Sequence, residues 1–166
     1  MIQTFDWNSM LSTLRNEIIS ITGIDASKVI IDGYSGEKPN YPFVTINAHY
    51  NTIRDGWMYS PTDEQFETTV SINVMSNIKS QAGHVMDDLQ AVLREYSAHK
   101  DLKDSGIVLI DVLNPSNRTS IGTLSSDYQF GFDLQLRLRR SFDSTTPQFD
   151  EVETPTHSIK TNEEGQ

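Results

Sequence analysis

The sequence predicts an α+β domain: a mainly antiparallel sheet of about four to five strands, two amphipathic helices packed on one of its faces, and an extended C-terminal tail. Three observations predict it. Apolar residues recur at helical spacing in two windows, near residues 7–22 and 80–98. Several other segments alternate apolar and polar residues with a period of two. Residues 143–166 hold only Phe149, Val152 and Ile159 as large apolar groups, too few to build a core. The expected division is a domain over 1–141 and an acidic tail or arm over 142–166.

The first helix is carried by Trp7, Met10, Leu11, Leu14, Ile18 and Ile21, with Asp6 placed to cap its start and Gly23 to stop it. Lys28–Asp32 is a short β-branched run that reads as a strand closed by Gly33. Ser35-Gly36-Glu37-Lys38-Pro39-Asn40 is loop chemistry. After Pro42, Val44, Ile46, Ala48 and Tyr50 share one side of a strand, and Thr45, Asn47 and His49 share the other. Residues 51–64 are polar and turn-rich but contain Trp57, Met58 and Tyr59, which either cover the edge of their own core or dock on a partner.

Phe66, Thr68, Val70, Ile72 and Val74 alternate with Glu67, Thr69, Ser71 and Asn73, a half-exposed strand of about ten residues. Ser80 is placed to cap the second helix, whose stripe is Ala82, Val85, Met86, Leu89, Val92, Leu93 and Tyr96. Ile107–Leu113 reads as a strand and Asn114-Pro115-Ser116-Asn117 as a turn. Tyr128 to Leu138 gives the cleanest alternation, with a basic patch, Arg137, Arg139 and Arg140, at its end. The predicted order is α-β-β-β-α-β-β. One sheet face is left lined by Thr45, Asn47, Thr69, Ser71, Gln129 and Gln135, polar but rarely charged.

The formal net charge is −10, and half of it belongs to the tail, where six carboxylates face the single Lys160. Such a balance repels phosphates, so the domain should not grip DNA, although a repulsive wall can line a path along which DNA slides. Ordinary solubility explains the same charge. There is no cysteine, which excludes disulfides, thiolate catalysis and thiolate-bound zinc. Met1–Asp6 lacks the basic and apolar regions of a signal peptide, and no stretch is long and apolar enough for a membrane span. The expectation is therefore assembly in the cytoplasm and no membrane partner.

No catalytic set emerges. There is no Gly-rich phosphate loop, His-Glu-x-x-His or Gly-x-Ser-x-Gly. His84 with Asp88 four residues on could hold a weak metal, but a solvated helix face explains it more simply. His49 has no acid beside it in sequence. Asp143 and Asp150-Glu151-Glu153 lack the Gly-punctuated loop of a calcium site. The expectation is no enzyme activity, no metal and no cofactor. The candidate interface residues are Trp57, Met58, Tyr59, Arg137, Arg139, Arg140 and Phe149. The arginines read either as pairing for nearby acids, as a guard on an edge strand, or as an anchor for an acidic partner such as a neighbouring copy's tail.

The layout as a whole resembles the terminator proteins of phage tails, the neck or tail terminator family. The resemblance spans residues 1–141 and rests on Lys38-Pro39-Asn40-Tyr41-Pro42-Phe43 running into a strand, and on Ser71-Ile72-Asn73-Val74-Met75-Ser76 running into the long second helix. It implies a virion protein forming a homohexameric ring that caps the tail tube, ends its polymerisation and offers a surface to the head–tail connector. It also implies contact with a sheath protein in contractile tails, and DNA passing through the lumen without sequence-specific binding. An exposed sheet edge, the aromatic loop and the terminal arm are suitable parts for such head-to-tail contacts. The competing reading is a small adaptor or chaperone-like binding module, monomeric or dimeric, gripping through the 51–64 loop.

Overall fold

The computed structural model describes residues 5–54, 63–120 and 127–141. Along the chain run α1 (Trp7–Thr22), β1 (Val29–Ile31), β2 (Phe43–Ala48), β3 (Ile53–Arg54), β4 (Asp63–Ser76), α2 (Lys79–Leu93), α3 (Tyr96–Asp104), β5 (Val108–Asn117) and β6 (Tyr128–Ser141). The main sheet order is β1-β2-β4-β6-β5, with β3 pairing β4 beyond the end of β2. All pairings are antiparallel except β1 with β2. The fold is α+β, as the periodicities predict.

Helix α1 begins and ends where its caps dictate. The Asp6 carboxylate accepts from Ser9 N–H at 2.9 Å, a cap worth about 1 kcal/mol. Gly23 stops the helix in the left-handed conformation, φ 68°, donating its N–H to Ile19 O. Met10, Leu11, Leu14 and Ile18 form its buried stripe.

The long second helix is two helices. Glu95 is extended (ψ 148°), so the chain breaks after Leu93 and restarts at Tyr96. The restart changes the phase. Ala98 and Leu102 turn inward, and Tyr96, expected in the buried stripe, is 84% exposed. Only Ala98 and Leu102 in this stretch offer apolar groups four apart, and packing selects the phase that buries them. Ser80 does not cap α2, which starts at Lys79. Instead Ser76 Oγ accepts from Ile78 N–H at 3.1 Å and donates to Gln81 Oε1 at 2.7 Å, tying β4 to the helix.

The expected turn at 114–117 is part of β5. A register shift lies between Leu113 and Ser116, and Asn114, with φ 53°, and Pro115 are absorbed as a bulge. Asparagine tolerates that φ, so a turn-like tetrapeptide can sit inside an edge strand. Between β2 and β3, Tyr50 also has positive φ, 54°. There the Asn51 side-chain carbonyl replaces the missing ladder, accepting from Thr69 N–H at 3.0 Å and Thr68 Oγ–H at 3.1 Å.

The three helices cover one sheet face. Val44 and Ile46 of β2, Phe66, Val70, Ile72 and Val74 of β4, and Phe132, Leu134, Leu136 and Leu138 of β6 are buried there with α1, α2 and Leu102 of α3. Each such side chain contributes about 1.5–3 kcal/mol relative to exposure. At one end Phe5, Trp7, Phe66 and Tyr50 meet edge-to-face, with centroids 5.1–6.0 Å apart.

Candidate functional site

No described element covers the other sheet face, and its register juxtaposes residues far apart in sequence. β4 opposite β6 sets Ser71 against Asp133, Asn73 against Gly131, Thr69 against Gln135 and Glu67 against Arg137. β2 adds Asn47 beside Ser71 and Thr45 beside Asn73. The surface falls into two zones.

The first zone centres on Asp133. Ser71 Oγ–H donates to it at 2.6 Å, Arg118 Nη2 at 2.8 Å and Asn114 Nδ2 at 3.2 Å. Arg118 also donates through Nη1 to Asn73 Oδ1 at 3.0 Å, so its guanidinium spans from β4 to β6. This bridge needs Gly131. A Cβ there would meet Asn73 Oδ1 at 2.4 Å and Ile72 O at 2.6 Å. Burial pushes the Asp133 carboxyl up. The hydrogen bonds from Ser71, Arg118 and Asn114, with the Arg118 charge, outweigh it and hold the group below the ordinary aspartate range.

His49 Nε2 lies 2.7 Å from Ser71 Oγ, so the β register supplies the acid that sequence proximity did not. The order is wrong for acyl transfer. A nucleophilic serine needs the histidine between itself and the carboxylate. Here Ser71 is the middle group, 5% exposed, and it donates directly to Asp133. The cluster is a bridge between strands.

The second zone is a charge ladder. Arg137 Nη2 lies 3.0 Å from Glu67 Oε1, and Gln135 Nε2 reaches Glu67 Oε2 at 2.7 Å. Arg139 Nε donates to Asp63 Oδ1 at 2.7 Å. Arg140, on the helix side, donates through Nε to Glu64 Oε2 at 2.6 Å and lies 5.1 Å from the Phe66 ring centroid. Each of the three predicted arginines is held by a β4 carboxylate, Arg137 and Arg139 on the uncovered face and Arg140 on the helix side. Arg137 is the last β6 residue paired to β5, and Arg139 and Arg140 lie beyond it where β6 pairs β4 alone, so the edge-guard reading fits these two. Trp57, Met58, Tyr59 and Phe149 lie outside the described residues.

Near the start of β6, the predicted loop residues Lys38 and Tyr41 converge on Asp127. Lys38 Nζ is 2.6 Å from Asp127 Oδ2 and 4.7 Å above the Tyr41 ring, and Tyr41 OH donates to the same carboxylate. The Asp127 carboxylate first, then the Tyr41 hydroxyl, raise the Lys38 pKa. This contact pins the Lys38–Phe43 segment to the sheet.

The sheet edges, expected to be exposed, are capped at a few positions. At β1, Arg15 Nε donates to Val29 O at 2.6 Å, and Tyr34 N–H donates to Ile31 O at 3.1 Å. At β5, Val112 N–H donates to Asp111 Oδ1 at 2.7 Å and Val112 O accepts from Arg94 Nη2 at 3.1 Å. Groups spent this way do not template an added strand.

His84, Asp87 and Asp88 stay on the exposed side of α2. Among the described residues no three His, Asp or Glu side chains converge as a metal site.

A model of phage neck terminator proteins matches residues 9–164. The chain belongs to the phage neck terminator family. Its role is structural, in the neck and tail of the virion, in association with other head and tail proteins. No curated protein matches the chain at a significant level. The match includes the entire described sheet and runs through residue 164, so it spans the acidic tail that the sequence resemblance left out. Of the residues that build the uncovered face of this neck terminator, Ser71 and Gln135 were visible as polar positions. Asp133, Arg118, Asn73 and Gly131 gain their meaning only from the β4–β6 register.

Proposed function

We propose that this protein forms a homohexameric ring that caps the tail tube, stops its polymerisation and presents the tail-side surface to the head–tail connector. The observation that carries the reading is the family membership over residues 9–164. The fold supports it. Side chains cap part of each sheet edge, which disfavours strand addition at those positions and favours faces, loops and the tail for contacts between copies. The uncovered face is polar with its charges internally paired, and its described cations offer no free grip for phosphates. The Trp57-Met58-Tyr59 loop and Phe149 supply apolar contacts between copies or with the tube, and a sheath protein is a further neighbour if the tail contracts. The ring is assembled in the host cytoplasm, and its work is mechanical, with no substrate turned over.

The test is tube growth. Tail-tube protein is polymerised alone and with the purified chain, and tube lengths are measured in negative stain. The proposal expects growth to stop with a ring at one tube end. Unaltered lengths and bare ends at saturating protein would overturn it.

A further inference from the structure

At one end of the sheet β6 outruns its neighbour. It pairs β4 without a break from Tyr128 to Ser141, whereas β5 reaches only as far as Arg137, opposite Val108. The cause lies in the chain before β5. Gly106, at φ 88°, closes α3 in the left-handed conformation. Its N–H donates to Lys103 O at 3.0 Å, and the Ile107 N–H donates to Leu102 O at 2.9 Å. Both residues are committed to the helix end and do not continue β5 along β6.

The register fixes where the unpaired backbone groups point. Gln129 N–H donates to Thr119 Oγ1 and Gln129 O accepts from Arg118 N–H, so both face the β5 side. In an antiparallel ladder that direction repeats at every second residue. Arg139 and Ser141 share it, and among the described residues no strand meets them there. A groove of about 250 Å³ lies alongside, with Phe5 and Met10 on one wall, Gly106 and Ile107 on another, and Leu138 and Arg139 on the third. The Arg139 and Arg140 guanidiniums guard this stretch against a basic strand, but Asp63 and Glu64 draw them onto β4 and the backbone groups stay accessible.

The opposite edge of the same end is β3. Arg54 stands opposite Phe66, and Phe66 opposite Leu138, so β3, β4 and β6 run abreast here. Thr69 N–H and O both face the β2 and β3 side, bonded to Asn51 Oδ1 and His49 N–H. By alternation Glu67 faces its register partner Ile53, and the Arg54 N–H and C=O point away from β4. Ile53 is 61% exposed. Among the described residues neither flank of this end carries a backbone cap like those of Arg15 at β1 and Arg94 at β5.

We propose that these two flanks pair between copies. The β6 edge at Arg139–Ser141 of one copy takes the β3 edge at Ile53–Arg54 of a second copy, backbone to backbone. The flanks are different patches on opposite sides of one sheet end, so the contact is heterologous and repeats from copy to copy around a ring. Uncovered faces then lie with uncovered faces, and Ile53 of one copy comes beside Ser141 of the next. The proposal rests on the ring reading and names a contact within it.

The chain has no cysteine, so introduced thiols are the sole ones. The Ile53→Cys, Ser141→Cys double variant is incubated with preformed tail tubes, treated with a short bis-maleimide and run on a denaturing gel, with negative-stain images of the same sample. Expected is a ladder of covalent oligomers. Each single variant alone gives no links, and the two singles mixed stop at dimers. Rings on the tubes without a ladder overturn this contact and leave the ring reading standing. A ladder without rings supports the contact and overturns the ring, and neither ladder nor rings overturns both. Arg139→Pro removes one outward N–H and no bond to β4. It should lower the share of capped tubes several-fold, while Arg139→Ala caps like the parent. A proline variant that melts like the parent and caps tubes equally well overturns the proposal.

Discussion

The two faces of the sheet are built from the same strands, residue by alternate residue, yet they are held by different physics. On the helix side Phe66, Val70, Ile72, Phe132, Leu134 and Leu136 are fully buried. That face derives its stability from apolar area removed from water and from close packing. On the opposite side the strands are tied by directed contacts: Asp133 with Ser71, Arg118 and Asn114, then Glu67 with Gln135 and Arg137. The difference teaches where to look for assembly. A face that has satisfied its charges in place, without burying them under helices, is free to differ in function from the face that stabilises the fold.

That contrast can be tested in order of expected effect. Phe132→Ala opens a cavity between β6 and the helices and should cost about 3–5 kcal/mol, read by urea denaturation. Gly131→Ala, one residue away but on the polar face, drives a methyl into Asn73 and the Ile72 carbonyl. It should cost about 1–3 kcal/mol and displace Arg118. A Gly131→Ala variant as stable as the parent would show that the Arg118 bridge is dispensable.

Asp133→Asn should cost about 1–3 kcal/mol at neutral pH, since it strips the charge from a half-buried hydrogen-bonded site. Its pH dependence is diagnostic. The folded carboxyl titrates below its unfolded counterpart. Its stabilisation is therefore complete above the unfolded value and is lost as pH falls through the folded one. The Asn variant should show a flatter acid limb of stability against pH than the parent. The smallest effect belongs to Arg139→Ala. That arginine is 70% exposed on its side chain, and solvent screening of its pair with Asp63 should leave the denaturation midpoint unmoved.

The helix-side face was legible in the sequence because periodicity and burial are the same information: every second residue from Phe66 to Val74, Thr68 excepted, and from Phe130 to Leu138 is apolar. Helix α1 was legible to the residue through Asp6 and Gly23. The break at Glu95 was not, because the apolar spacing runs on through Tyr96 and only the pairing of Ala98 with Leu102 marks the change of phase. The bulge at Asn114-Pro115 reads as a turn locally and becomes strand only because β6 lies beside it. The polar face was visible as a pattern of Thr, Asn, Ser and Gln, but its connections were not. Arg118, Asp133 and Ser71 meet through a register that no local signal encodes. The arginine patch was seen, and its β4 partners Asp63, Glu64 and Glu67 were as unreadable as any long-range pairing.

The proposed assembly of this fold, with one sheet face uncovered, is a ring at the end of the tail tube. Its most direct test is sedimentation of the full chain over a range of concentrations, alone and with preformed tail tubes, with negative-stain images of each sample. Six-fold rings, free or seated on tube ends, are the predicted result. A chain that stays monomeric at high concentration and remains unbound in the presence of tubes would contradict it.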